Sequence, residues 1–385
     1  MKRKVLMDLS HIIGSFHAGI YNAAVDMVIG LLQYSDYDIV LLIWEGQEDY
    51  FDKWIGSKLE KIILPISQKQ NLKRKIHINM CPRFLKEELE KRTIDVVFTT
   101  CFTINSYIFP KKYRQIGIVY DIQPLKMGGN LKRRLLSIGY YIKSLVYFHL
   151  CQNVVCISKQ TQFEIKKLMG KKSKVVYLSI SKNISDNLEE EIDELKNEEY
   201  ILDVNSFEKY KNTERLLKSF SQIADIIPHK LYLKGYSNKY NIERREELMK
   251  LASSLGIANR IYVDVSNRSL GQMIYLFKHA KLFISPSLME GFGYTPIEAA
   301  ICGCPVVVSN IKTLVEVTDG MVETFDPMSI ESIRLSILKS IQYPPSKSKL
   351  DSIACHYKGK YSLETQCKMY KSIIEDLFKS KKIVE

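Results

Sequence analysis

The chain has 385 residues, of which 46% are hydrophobic and 26% charged, a length and composition typical of one or two globular domains with a large core. It holds no apolar run long enough to span a bilayer, and its N-terminus lacks a secretory hydrophobic region with a cleavage site, so we expect a cytoplasmic protein. The net charge of +13 favours an anionic partner, but the sequence shows no RNP motif or Cys/His finger, so we expect no nucleic-acid partner.

Short apolar runs alternate with helix-like stretches through the first half of the chain. Residues 4–9 form the first predicted strand, a loop with Gly14 and Gly19 follows, and residues 20–32 have the apolar spacing of a helix. Further strands are predicted over residues 38–44, 95–100, 115–120, 153–158 and 174–180. Strands that alternate with helices indicate a parallel α/β architecture, and a glycine loop between the first strand and helix suits a doubly wound sheet.

Residues 125–149 interleave basic and apolar side chains around a central Gly139, and the basic ones are Lys132, Arg133, Arg134 and Lys143. The pattern predicts an amphipathic helix with two possible destinations. A basic helix of this kind can rest on anionic lipid, which would make the protein a peripheral membrane protein. The alternative is a surface helix whose apolar face belongs to the core, as in most amphipathic helices.

The acidic, aromatic-free stretch 186–199 predicts an interdomain linker or a solvated helix. A strand over residues 200–207 opens the second half, and residues 208–220 contain Lys211 and a leucine-rich helix. Later strands are predicted over residues 230–235 and 260–265, and later helices over residues 270–280 and 362–379.

Residues 285–309, SPSLMEGFGYTPIEAAICGCPVVVS, combine features that local structure rarely needs together. An apolar run ends at Ser285, an acid and two glycines follow, a helix is predicted from Pro296, and a second strand closes the stretch. This order predicts a βαβ unit with a glycine-rich turn. The glycines would let backbone N–H groups approach a ligand, and the helix N-terminus favours an anion there.

Glu298 lies in the early turns of this predicted helix. There its carboxylate could reach sugar hydroxyls of a ligand docked on the loop. The alternative is structural: Glu298 would complement the helix dipole, and Gly291 and Gly293 would only form the turn.

The stretch is similar to the signature of the retaining family 4 glycosyltransferases of GT-B fold, in which seven residues separate two glutamates. The similarity covers nearly the whole chain and is strongest over residues 283–327. The residues that match the signature are Pro286, Ser287, Glu290, Gly291, Phe292, Gly293, Glu298, Ala299, Gly303, Pro305 and Val306.

The resemblance implies that a nucleotide-sugar donor binds here, with the backbone from Gly291 to Tyr294 near its diphosphate and sugar. It implies that Glu290 faces the donor sugar and that Glu298 contacts the ribose hydroxyls. Lys211 matches a lysine of the family and is the candidate cation for the diphosphate. The loop that ends at Gly19 would lie close to the donor and acceptor phosphates.

Some positions depart from the family pattern. The family usually has His-Asp where this chain has Tyr120 and Asp121, so a general-base histidine cannot be carried over, although a tyrosine could hydrogen-bond a hydroxyl. Asp121 could also only cap the following turn. Asn205 replaces a usual glycine and Ser206 a frequent arginine, so a second cation is either missing or supplied by Lys209.

We therefore expect an α/β protein of GT-B fold, with two doubly wound Rossmann-like domains that face a central cleft. The expected parts are an acceptor-side domain over 1–182, an acidic linker over 183–199, a nucleotide-sugar-binding domain over 200–358, and a C-terminal helix over 359–385 that crosses back to the first domain.

The expected function is transfer of a sugar, with retention, from a nucleotide-sugar donor to a glycan acceptor. We expect the acceptor to be lipid-linked and the product to be a cell-surface polysaccharide such as capsule or lipopolysaccharide. Lys211 and the N–H groups near Gly19 and Gly291 to Gly293 would stabilise the departing diphosphate. We expect no cofactor and no metal, since the eight cysteines lack C-x2-C pairing and the seven histidines are scattered. Two alternatives stay open: a sugar-nucleotide epimerase of the same fold and a catalytically silent subunit of glycan assembly.

Overall fold

A computed structural model describes residues 2–12, 19–56, 58–65, 81–102, 106–121, 131–180, 184 and 188–379, without the side chains of residues 20, 54 and 131–137. The chain divides into two compact units. Unit 1 comprises Met1–Ser179 and Leu363–Glu385, and unit 2 comprises Ile180–Ser362. These divisions lie a few residues from the predicted boundaries at 182 and 358.

Unit 1 contains a sheet with the strand order β3-β2-β1-β4-β5-β6-β7. Its strands are β1 (Lys4–Asp8), β2 (Asp38–Trp44), β3 (Glu60–Leu64), β4 (Val96–Thr99), β5 (Arg114–Val119), β6 (Asn153–Cys156) and β7 (Lys174–Val175). Its helices are α1 (Gly19–Tyr34), α2 (Glu48–Ile55), α3 (Arg83–Lys91), α4 (Leu131–Leu150), α5 (Lys159–Met169) and, after the helices of unit 2, α13 (Leu363–Lys379). The strand predicted over 174–180 is therefore wrong beyond Val175.

Unit 2 contains a sheet with the strand order β10-β9-β8-β11-β12-β13. Its strands are β8 (Tyr200–Val204), β9 (Lys230–Lys234), β10 (Ile261–Asp264), β11 (Leu282–Ser285), β12 (Val306–Ser309) and β13 (Glu323–Phe325). Its helices are α6 (Thr213–Ser221), α7 (Lys239–Ser254), α8 (Leu270–His279), α9 (Tyr294–Ile301), α10 (Lys312–Val317), α11 (Ile330–Gln342) and α12 (Lys347–Lys360). Short 3-10 helices cover Asp193–Leu195, Lys209–Lys211 and Ala258–Arg260.

All the strand pairs described in both sheets are parallel, which confirms the prediction of two doubly wound α/β domains. In unit 1 the chain winds outward from β1 to β3 and then continues on the other side of β1 with β4. In unit 2 it winds from β8 to β10 and continues beside β8 with β11. Ligands of doubly wound sheets bind at the carboxyl ends of the strands where the winding reverses. The expected positions are therefore the ends of β1 and β4 and the ends of β8 and β11.

The predicted amphipathic helix is α4, and it continues through Gly139 without a break. Tyr140, Tyr147 and Phe148 are buried, so the core-facing interpretation is correct for the described side chains. Gly117 on β5 allows this approach, because a Cβ at that position would lie 1.8 Å from the Tyr147 hydroxyl oxygen.

The prediction that Lys143 belongs to a basic outer face is wrong. The residue is 2% exposed, and its Nζ donates a hydrogen bond of 2.6 Å to the carbonyl oxygen of Ser106. Helical spacing alone could not show this, because position 143 lies between the two faces of the pattern. The other basic side chains of the helix lie outside the described residues, and they are Lys132, Arg133 and Arg134.

The acidic linker predicted over 183–199 is also wrong where the structure describes it, because this stretch is part of unit 2. Glu190 accepts a hydrogen bond of 2.5 Å from the Ser269 hydroxyl, and Glu194 forms an ion pair of 2.7 Å with Arg268. These acidic side chains are thus paired with residues of unit 2, although they stay exposed to solvent.

All eight cysteines are free thiols, and six of them are buried. No described helix combines the length and the hydropathy that crossing a bilayer requires. Within the same residues, no three side chains of His, Cys, Asp or Glu converge as metal ligands. The expected absence of a metal stays a prediction.

Candidate functional site

Two loops of unit 2 meet at the carboxyl ends of β8 and β11, where its winding reverses. They are residues 205–212 and residues 286–293, and the second contains the matched signature. The backbone N–H of Leu288 donates to the carbonyl oxygen of Tyr210 at 2.8 Å, so the loops are joined directly. The position agrees with the general rule for ligand sites in such sheets.

Asn212 holds the first loop in place. Its backbone φ of 63° is left-handed, a conformation that asparagine tolerates better than most residues. Its side-chain Nδ2 donates to the carbonyl oxygens of Pro286 (3.0 Å) and Pro327 (2.8 Å), the second of which also accepts from Arg215 at 3.2 Å. One amide therefore joins three loops, and sequence reasoning missed both it and Arg215.

Lys211 and Glu290 form an ion pair at the meeting point of the loops. The distance from Nζ to Oε1 is 2.7 Å, and the two side chains are only 16% and 13% exposed. The Ser287 hydroxyl donates to the same Glu290 oxygen at 2.7 Å, and the Ser309 hydroxyl donates to the Ser287 carbonyl oxygen at 2.5 Å. The structure thus brings together two candidate residues that lie 79 positions apart in the sequence.

The loop conformation depends on Gly293. Its φ of +98° is left-handed, and a Cβ there would lie 2.5 Å from Leu314 Cδ2. The Phe292 side chain is buried, with ring centroids 5.5 Å from Tyr294 and 5.4 Å from Tyr361. The aromatic side chain anchors the loop, so its backbone is the part that a ligand could contact.

Helix α9 begins directly after this loop, at Tyr294. The first N–H groups of a helix have no partner within it and carry a partial positive charge, so they favour an anion. Pro296 is tolerated because its missing N–H is among these groups. Glu298 follows in the next turn, and burial raises its pKa to about 7. It can therefore offer an acceptor or a protonated carboxyl group to hydroxyls near neutral pH.

A buried carboxyl group, Asp203, lies at the end of β8 and interacts electrostatically with both members of the ion pair. Asn205 Nδ2 donates to Asp203 Oδ2 at 2.6 Å and to the Thr213 hydroxyl at 3.2 Å. Burial raises the pKa of Asp203 to about 7, against the opposing effects of Asn205 and Lys211. The sequence shows that Asn205 replaces the usual glycine of the family, but it does not show that the Asn205 side chain pairs with Asp203.

The remaining candidates of unit 2 surround this centre. Ser206 is half-buried at the start of the first loop, and Lys209 is exposed in the 3-10 helix that ends at Lys211. The structure does not test whether Lys209 acts as a second cation.

Unit 1 carries the other candidates. Tyr120 is buried directly after β5, and its carbonyl oxygen accepts from the Thr161 hydroxyl at 3.4 Å. Asp121 is half-buried next to it, and Gly19 is the first residue of α1. Residues 13–18 of the predicted glycine loop lie outside the described residues. The roles of all three residues stay predictions.

The arrangement in unit 2 can bind a diphosphate ester of a sugar. A lysine and the free N–H groups at a helix start suit the negative charge, whereas carboxyl groups suit hydroxyls. The same groups can stabilise charge that develops on a departing diphosphate. Fold and site together define a two-domain α/β protein with a candidate anion site beside carboxyl groups that suit hydroxyls.

Comparison with known proteins shows what this part of the chain is similar to. Residues 184–354 match the family model described as glycosyl transferases group 1. With its GT-B fold, the chain therefore resembles O-antigen sugar transferases, which confirms the predicted resemblance.

The relatives include two mannosyltransferases. The serotype-specific mannosyltransferase WbdA of Escherichia coli is 27% identical over 264 residues, which are 65% of this chain but 32% of WbdA. The chain thus spans about a third of the length of WbdA. The O-antigen chain mannosyltransferase RfbU of Salmonella typhimurium is 22% identical over 92% of this chain and 95% of RfbU. Among solved structures, Anabaena HepE in complex with UDP and glucose has a TM-score of 0.69, 12% identity, and coverage of 97% of this chain and 100% of HepE.

Proposed function

We propose that the protein is a hexosyltransferase of cell-surface polysaccharide synthesis, which moves a sugar from a nucleotide-sugar donor to a glycan acceptor. The observation that carries the proposal is the ion pair between Lys211 and Glu290, at the winding reversal of a glycosyl transferases group 1 domain. Mannose is the first candidate sugar, because WbdA and RfbU are named mannosyltransferases. No relative reported above is named an epimerase or a binding subunit.

In the proposed reaction the donor diphosphate replaces Glu290 as the partner of Lys211. Glu290 is then free to accept a hydrogen bond from a sugar hydroxyl, while Ser287 keeps its carboxylate oriented. As the bond between sugar and diphosphate breaks, negative charge grows on the diphosphate, and Lys211 and the N–H groups of residues 291–294 stabilise it. We propose that this happens with retention and without a metal, so that a chelator leaves turnover unchanged.

A panel of nucleotide sugars in a thermal-shift assay tests the donor. GDP-mannose, UDP-glucose, UDP-galactose and the free nucleotides are compared, since a ligand present at about a hundred times its dissociation constant stabilises by roughly 2.7 kcal/mol. The stabilising donor is then incubated with a mannose oligosaccharide, and the products are identified by mass spectrometry and NMR. Sugar transfer supports the proposal. Isomerised donor would replace it with an epimerase, and absence of any donor binding would contradict it.

We also propose that the acceptor is lipid-linked and that helix α4 rests on an anionic membrane. Because Lys143 is buried, the positive charge that α4 offers to the membrane would come from residues 132–134 in its first turn. Three exposed apolar side chains of α4 would strengthen this membrane contact. They are Ile138, Ile142 and Leu145, which are 54%, 49% and 40% exposed. Basic and apolar side chains on one helix are the combination that interfacial helices use.

A further inference from the structure

The candidate anion site of unit 2 has an excess of carboxyl groups at its buried centre. Lys211 pairs with Glu290 at 2.7 Å, so these two charges offset each other. Asp203 adds another carboxyl group near the end of β8, where it is only 1% exposed. With both carboxyl groups ionised, the three residues carry one net negative charge before any diphosphate arrives. A buried centre of this charge repels an anion, so binding requires a change in its charge.

The hydrogen-bond partner of Asp203 is a neutral amide that is itself fixed in place. Asn205 Nδ2 donates to Asp203 Oδ2 at 2.6 Å, and Asn205 Oδ1 accepts from the Phe207 N–H at 2.6 Å. The Asn205 N–H donates to the Lys234 carbonyl oxygen at 3.0 Å, which ties the amide to β9. An amide N–H can donate to a carboxylate and also to the carbonyl oxygen of a carboxylic acid. Asp203 can therefore gain or lose a proton without losing this hydrogen bond.

The cations on the elements around Asp203 have other surroundings. On the neighbouring strand β9, Lys234 Nζ lies 3.8 Å from Asp264 Oδ1. On α6, Arg215 donates to a carbonyl oxygen beyond β13 at 3.2 Å. Lys209 in the first loop is exposed, so water screens its charge. The ion pair described above is thus the charged neighbour that acts on Asp203, and both of its members do so.

Donor binding would change the electrostatic surroundings of Asp203. In the proposed reaction the diphosphate takes the place of Glu290 beside Lys211, so the lysine charge is shared with a dianion. Burial raises the pKa of Asp203 to about 7 in the free protein, against the effects of Asn205 and Lys211 and with that of Glu290. A nearby anion raises the pKa of a carboxyl group further. A carboxyl group that is partly ionised at neutral pH would thus become protonated in the complex.

We propose that Asp203 is a positioning residue of the diphosphate site and takes up one proton from solvent when the nucleotide sugar binds. This rests on the proposed function, which supplies the diphosphate. The carboxylate becomes a carboxylic acid, no other covalent bond changes, and Asn205 keeps its hydrogen bond. Because the complex binds the extra proton, donor affinity should be constant below about pH 7 and fall by up to about tenfold per pH unit above it.

Titration calorimetry on the full-length protein counts the protons directly. The probe is whichever of GDP-mannose, UDP-glucose and UDP-galactose stabilises the wild type. Both phosphates of such a probe are esterified and stay ionised near pH 7, so the proton is bound by the protein. The binding heats in PIPES and in Tris differ by the number of protons taken up times the difference in buffer ionisation enthalpy. We expect about half a proton at pH 7 and about one at pH 8. Binding without proton uptake would overturn the proposal.

Asp203→Asn separates proton uptake from a merely structural role. The variant keeps an acceptor for Asn205 but cannot titrate, so it should bind the probe without proton uptake. Its affinity should equal that of the wild type at pH 6 and be about tenfold higher at pH 8, because the wild type must first bind the proton. Loss of a structural carboxyl group would instead weaken binding at both pH values. That result, or proton uptake equal to that of the wild type, would contradict the role of Asp203.

Two further variants locate the proton. Glu298→Gln removes another carboxyl group whose pKa burial raises to about 7, and proton uptake should persist in it although donor affinity falls. Asp225→Asn makes the same change as Asp203→Asn at an exposed position of unit 2 and should match the wild type in uptake and affinity. Uptake that is lost in Glu298→Gln but kept in Asp203→Asn would refute the assignment to Asp203. A wild type that binds no nucleotide sugar refutes the proposed function, whereas binding without proton uptake refutes only this inference.

Discussion

Replacing Lys211 by alanine should slow sugar transfer about a hundredfold or more. The lysine Nζ lies 2.7 Å from Glu290 Oε1 with both side chains less than a fifth exposed, so water screens this position poorly. A hydrogen bond to a charged group contributes about 1.5–3 kcal/mol, and about 2.7 kcal/mol of lost transition-state stabilisation corresponds to a hundredfold in rate. The loss should appear in kcat, because the charge on the diphosphate is greatest in the transition state.

The assay is steady-state transfer with the donor that the nucleotide-sugar panel identifies. Lys218→Ala is the matched control, because Lys218 is an exposed lysine of α6, the α-helix that follows Lys211 in the chain. Lys211→Arg should recover part of the rate, since it restores the charge without the compact shape of the ammonium group. The Tm of each variant separates lost catalysis from lost structure. Near-normal turnover in Lys211→Ala would refute this reasoning and move the role to Lys209 or elsewhere.

Three further changes have definite expected outcomes. Glu298→Ala should weaken nucleotide-sugar binding, and unchanged donor affinity in calorimetry would refute its ribose contact. Burial raises the pKa of Asp203 to about 7, so its ionisation destabilises the native state as pH rises from about 4 to 7. Asp203→Asn should therefore raise Tm at pH 8 and do so less as pH falls, whereas a gain independent of pH would contradict this cause. Replacing Lys132, Arg133 and Arg134 by Gln should reduce co-sedimentation with anionic vesicles, at about 1 kcal/mol per charge, and high salt should do the same. Wild-type protein that ignores such vesicles at low salt would refute membrane association.

The stretch from β11 to β12 could be predicted closely from the sequence because its signals are local. An apolar run, two glycines, a proline and a β-branched run lie within about 30 residues, and each acts on its own part of the backbone. The helix begins two residues earlier than predicted, at Tyr294, since Gly293 already ends the loop. Here local preference and tertiary structure agree.

Other features depend on contacts between distant residues, and the sequence could not show them. Asn212 reaches Pro286 and Pro327, which are 74 and 115 residues away. The sequence predicts Lys143 on a basic outer face, but its Nζ donates a hydrogen bond to the Ser106 carbonyl oxygen and interacts electrostatically with Asp8. A buried lysine of this kind needs partners that only the folded chain supplies.

The two sheets place different chemistry at the same topological position. The end of β8 offers a lysine near the N–H groups of a helix start, which suit an anion, whereas the end of β1 holds the buried Asp8, whose carboxylate accepts from the Ser10 N–H at 2.9 Å. A doubly wound sheet supplies the position of a site, and the residues at the strand ends supply its chemistry.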